Sequence, residues 1–112
     1  MKVAYVAGPY SANSIYNVVQ NIRRAEFVAL SLWKMGYAVI CPHKNTSLLD
    51  GECPRQTWID GDLEILKRCD LIVVLENWEY SEGTRDELSQ AEMTDMPIFY
   101  WPDDEQKLKS FI

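Results

Sequence analysis

The apolar positions of this chain switch between two periods, and the switches mark its elements. Lys2 to Ala7 is a short β-branched and aromatic run that stops at Gly8-Pro9, the pattern of a strand ended by a turn. Asn13 to Met35 follows without an internal Gly or Pro. Val18, Ile22, Ala25, Ala29 and Leu32 recur there at helical spacing, and Gly36 supplies a C-terminal stop. Tyr37 to Cys41 reads as a second strand closed by Pro42. Residues 43–53 carry turn formers and no clear period, which predicts a loop. Pro54 to Arg68 is a predicted helix with Pro54 near its first turn, and Gly61 marks a place where it could break. Asp70 to Glu76 is apolar on consecutive residues, as expected of a parallel strand covered on both faces. After a polar, aromatic loop over Asn77–Gly83 come a helix over Thr84–Thr94, a strand over Pro97–Trp101 and a terminal helix over Asp103–Ile112.

The order β-α-β-α-β-α-β-α implies an α/β fold: a small doubly wound, flavodoxin-like parallel sheet of about four strands, order 2-1-3-4, with helices on both faces. Ligands of such sheets sit at the carboxyl ends of the strands, near the switch point. The loops at Gly8–Asn13, Pro42–Cys53 and Asn77–Gly83 occupy those places.

The length of 112 residues suits one domain, 1–112, and self-association would help so small a core. The net charge of −6 argues against a protein that coats polymeric nucleic acid. No apolar run is long enough to span a membrane, and MKVAYVAGPY opens directly on a strand pattern, so a cytoplasmic location is expected. Cys41, Cys53 and Cys69 are expected as reduced thiols, with Cys41 and Cys69 buried beside apolar strands. His43 lacks a second His or Cys at ligand spacing, which argues against a metal.

The loop after the third strand carries the most chemistry. Ser81, Gly83 and a helix start offer a hydroxyl and free backbone N–H groups to an anion. Glu87 follows about one turn into the helix. It is either a functional carboxylate at the cleft mouth or the partner of Thr84 in a capping box, bonding back to the Thr84 N–H. Trp58, Asp62, Leu66 and Cys69 share one helix face, and a carboxylate in an apolar stripe needs a partner or a site unless it lies at the stripe's edge. Asp60 is the alternative acid. Tyr5, in the first strand and three residues before Gly8, reads as a core tyrosine whose hydroxyl reaches the rim. Ser11 and Asn13 suit either a ligand contact or the cap of the long helix. Trp78 and Tyr80 suit base stacking or loop packing.

Together these residues resemble the nucleoside 2-deoxyribosyltransferase superfamily, which includes the 2′-deoxynucleoside 5′-phosphate N-hydrolases and small phage and bacterial domains. The resemblance runs from Lys2 to about Tyr100. It rests on Tyr5-Val-Ala-Gly8-Pro9, on Gly-Tyr-x-Val-x-x-Pro-His at 36–43, on Asp62-Leu-Glu-Ile-Leu and Cys69-Asp70-Leu-Ile-Val-Val, and on Ser81-x-Gly83-x-x-x-Glu87. The resemblance implies cleavage of the N-glycosidic bond of a 2′-deoxynucleoside or its 5′-monophosphate, by hydrolysis or base exchange. Glu87 matches the nucleophile, Asp62 the acid beside it, and Tyr5 a tyrosine that holds the nucleophile or the sugar. Ser81 and Gly83 match a 5′-phosphate position, and Gly8, Ser11 and His43 complete the expected substrate-binding set. No cofactor is implied, and families of this kind complete their pocket across subunits, so a homodimer or larger homo-oligomer is expected. The rival readings are a non-catalytic nucleotide-sensing module on the same fold and a receiver or flavodoxin-like cofactor domain. The paired carboxylates disfavour the first. Asp70, which begins a strand rather than ending one, disfavours the second.

Overall fold

The computed structural model describes residues 1–112. Four strands, β1 (Val3–Ala7), β2 (Ala38–Ile40), β3 (Leu71–Val74) and β4 (Ile98–Tyr100), form one sheet in the order β2-β1-β3-β4. Every pairing is parallel, with Tyr5 opposite Ile40 on one side and Ile72 on the other. Five helices connect or follow them: α1 (Ile15–Met35), α2 (Pro42–Asn45), α3 (Arg55–Lys67), α4 (Glu82–Met93) and α5 (Glu105–Phe111).

Strand pleat divides the core in two, because successive side chains point to opposite faces. Ala4 and Val6 join Leu71, Val73 and the inward residues of α1 and α5 in one cluster. Tyr5 and Ala7 join Ile72, Val74, Leu66 of α3 and Leu88 and Ala91 of α4 in the other. The fully buried β3 explains the unbroken apolar run Leu71-Ile-Val-Val.

Helix α1 turns Ile22, Ala25, Val28, Ala29 and Leu32 inward. The cap of α1 is Ser14, whose side chain accepts from Asn17 N, so neither Ser11 nor Asn13 serves that purpose and the helix starts at Ile15 rather than Asn13. Gly36 closes α1 at φ +109°, a left-handed conformation open to glycine, and its N–H reaches the Leu32 and Trp33 carbonyls.

The segment expected as a plain loop, 43–53, opens with the short helix α2. Pro42 at its first position is already fixed at a helical φ, a cue outweighed in the sequence by the turn formers that follow. Helix α3 runs unbroken through Gly61, where a break was open. Trp78–Tyr80 forms a 3₁₀ turn inside the loop expected over 77–83. All three cysteines are free thiols; Cys41 and Cys69 are only partly buried, because each lies just outside its core strand.

Candidate functional site

The carboxyl ends of β1 and β3, with α2, α3 and the start of α4, enclose a cleft of about 640 Å³. Asp62 and Glu87 both line it, as do Ser11, His43, Ser81 and Gly83. Six of the eight residues singled out in the sequence thus share one cavity.

Glu87 is held from below. Tyr5, fully buried on β1, donates its hydroxyl to Glu87 Oε2. The pleat sends Tyr5 to the α3/α4 side of the sheet, and α4 lays Glu87 over it. Desolvation pushes the Glu87 carboxyl up to about 8, opposed by the Tyr5 hydrogen bond and reinforced by the charges of Asp62 and Asp86. Burial pushes Asp62 up to about 6. Burial, and then the neighbouring Glu87 and Asp62 charges, raise the Tyr5 phenol, which stays protonated as a donor. Both carboxyls hold a proton more tightly than usual, Glu87 the more so, and between about 6 and about 8 the free cleft therefore carries one proton, on Glu87.

The capping-box reading of Thr84 and Glu87 does not hold. The N-cap of α4 is Ser81, whose Oγ accepts from Thr84 N at 3.3 Å and from the Thr84 hydroxyl at 2.8 Å. The helix begins at Glu82, three residues earlier in its cap than Thr84 would place it. Glu87 lies beyond the first turn and its carboxylate goes to Tyr5. A Ser at the cap and a Thr three residues on satisfy the helix end without an acid.

Asp60 lies on the solvent side of α3, where it accepts from Gln56 Nε2 at 2.7 Å, and takes no part in the cleft. His43 is buried, 5 % exposed, with Nε2 2.9 Å from the Pro9 carbonyl oxygen and Nδ1 without a partner. Burial lowers its affinity for a proton, so the ring is neutral and donates through Nε2, leaving Nδ1 as an acceptor. Gly8 stands apart from the lining. A Cβ there would come within 2.9 Å of Leu75 Cβ, so its glycine serves the close approach of the end of β1 to the residue after β3. Gly83 is the opposite case: it lines the cleft, and a Cβ would meet nothing within 4 Å.

Trp78 packs on Tyr100, ring centroids 6.0 Å apart, against the core, whereas Tyr80 is 85 % exposed and lines the cleft. Sequence reasoning missed Tyr10. Its hydroxyl donates to Asp50 Oδ1 at 2.6 Å and accepts from Leu48 N at 3.0 Å, and its ring lies 5.9 Å from His43. It ties the segment after α2 to the end of β1 as a cleft wall. Its place directly after Gly8-Pro9, at a strand's carboxyl end, is the signal that could have found it. No three His, Cys, Asp or Glu side chains converge as metal ligands.

The family model described as domain of unknown function DUF4406 matches residues 1–100. The chain belongs to the DUF4406 family. The comparison with curated proteins returned no match. Among solved structures, the DUF4406 chain is similar to a 2-deoxyribosyltransferase of the psychrotolerant bacterium Bacillus psychrosaccharolyticus, described as a biocatalyst for nucleoside synthesis. The two are 19 % identical with a TM-score of 0.68, over 88 % of this chain and 70 % of that one. The DUF4406 chain therefore has the nucleoside 2-deoxyribosyltransferase fold.

Proposed function

We propose that this protein cleaves the N-glycosidic bond of a 2′-deoxynucleoside or its 5′-monophosphate through a covalent deoxyribosyl ester on Glu87. The observation that carries the reading is the pairing of Glu87, seated on the Tyr5 hydroxyl, with Asp62 in one cleft. Once the proton on Glu87 has passed to Asp62, ionised Glu87 attacks C1′ as the C1′–N bond breaks, and the bond's electron pair leaves with the base. Protonated Asp62 gives its proton to the departing base. Asp62, now a carboxylate, takes a proton from water. The water oxygen attacks C1′ and Glu87 leaves as a carboxylate; a second base in place of water gives exchange. Tyr5 touches Glu87 rather than the cleft and is a positioning residue. Ser11, His43 and the exposed ring of Tyr80 supply sugar and base contacts.

The reading includes self-association. Tyr16, Phe27, Leu30 and Trp33 lie on the outward side of α1, each more than half exposed, and a second copy would cover them. It also places the protein in the cytoplasm; no helix is long and apolar enough to cross a membrane.

The test is chromatographic detection of free base from a panel of deoxynucleosides and deoxynucleotides. Release by wild type and its loss in Glu87→Ala is the expected result. A wild type inert on the whole panel would favour a sensing module instead.

A further inference from the structure

The cleft brings together five carboxylates, Asp50, Asp62, Glu82, Asp86 and Glu87, against a single cation, Arg55. We infer that, granted the glycosidase reading of this site, its substrate is the unphosphorylated 2′-deoxynucleoside, with Glu82 and Asp86 on α4 excluding the 5′-monophosphate. A phosphomonoester brings a charge of about −1.5 to −2 at neutral pH. Two features would welcome it, Arg55 and the start of α4; the first is one cation against five carboxylates, and the second is partly engaged. The Ser81 Oγ accepts two hydrogen bonds from Thr84, and Glu82 sets its own negative charge in the first turn, where the helix dipole is compensated. Asp86 follows Glu82 by four residues on the same helix face. Like charges at that spacing cost helix stability, and neither acid forms an ion pair. Their position at the cleft gives this otherwise unfavourable pair a purpose.

The remaining lining suits a neutral ligand rich in donors. The unpartnered Nδ1 of His43 is a buried acceptor, and carboxylates accept from sugar hydroxyls and from exocyclic amino groups of a base. Gly83 leaves open room that its own chain does not need. A neutral deoxynucleoside gains these acceptors without bringing a like charge against them.

The experiment compares the four common deoxynucleosides with their 5′-monophosphates, by kcat/KM for base release and by ligand-induced shift of the melting temperature. Near a protein surface, repulsion between one carboxylate and one phosphate charge several ångströms apart changes binding by roughly 3- to 30-fold. Wild type is expected to prefer the nucleoside by about 10- to 100-fold. In Glu82→Gln/Asp86→Asn that ratio is expected to fall about tenfold, and in Asp103→Asn, which removes a charge away from the cleft, it stays unchanged. Equal or better use of monophosphates by wild type overturns the inference and leaves the glycosidase reading standing. If no compound is cleaved, a melting shift with nucleosides but not monophosphates supports the ligand class while the glycosidase reading fails. No shift with either overturns both.

Discussion

The protonation of Glu87 and of Asp62 sets what each residue can do in the proposed reaction at a given pH. In the proposed reaction attack needs Glu87 ionised and departure of the base needs Asp62 protonated; the pair then carries one proton, which rests on Glu87 in the free cleft, where its affinity is the higher, and passes to Asp62 in the productive form. Below about 6 both carboxyls are protonated and no nucleophile remains; above about 8 both are ionised and no acid remains. The kcat/KM profile is therefore expected to be a bell with apparent limbs near 6 and 8, which belong to the pair rather than to either residue. A flat profile across that range would contradict the division of roles. Stability follows the same protons. Below 4.5, the ordinary Glu value, the carboxyl is protonated folded and unfolded; from there to about 8 only the folded protein keeps the proton, so stability falls as pH rises. Glu87→Gln removes that loss and is expected to melt a few degrees above wild type at pH 8, with the gap closing toward pH 4.5. A gap that widens toward low pH would reverse the assignment.

At the scale of elements, the helix that carries the site owes its start to Ser81. Ser81→Ala removes an N-cap and leaves the buried Thr84 hydroxyl without its acceptor, a loss expected at about 1–2 kcal/mol in chemical denaturation. In α3, a Cβ on Gly61 would meet nothing within 4 Å, and Gly61→Ala is expected to stabilise by about 0.5–1 kcal/mol. Destabilisation would mean that α3 needs a glycine for a reason other than packing. These two helices also mark where sequence reading succeeds and where it stops. Apolar runs and helical spacing carry the strands, the sheet order and the Asp62 face, because burial enforces them over many residues. The α4 cap is decided by two hydrogen bonds from Thr84 to Ser81 Oγ, with Glu87 drawn away to Tyr5, and two capping patterns overlap within Ser81 to Glu87. Tyr5 lies 82 positions from Glu87, and nothing local in the chain announces that the two meet. Gly8 reads equally well as a ligand contact or a packing glycine until Leu75 is seen against it.

The whole molecule places its two core clusters on opposite faces of the sheet and its cleft at one end, leaving the outer side of α1 free. The aromatic and aliphatic side chains there, Phe27 at 66 % exposed and Trp33 at 53 % among them, are expected to be covered by a second copy. Light scattering at high concentration is expected to give a dimer or larger assembly, and Phe27→Glu/Leu30→Glu is expected to shift it toward monomer with the fold retained. A wild-type monomer would count against association. The proposed chemistry makes Glu87 a nucleophile and not a structural acid. The most direct measurement is the rate of free-base release by Glu87→Gln against wild type, on whichever deoxynucleoside wild type cleaves. A Gln at 87 still accepts the Tyr5 hydroxyl, so the fold stands, but a neutral amide does not attack C1′. The expected result is a loss of about 10³-fold or more with an intact melting transition; release at the wild-type rate would contradict the claim.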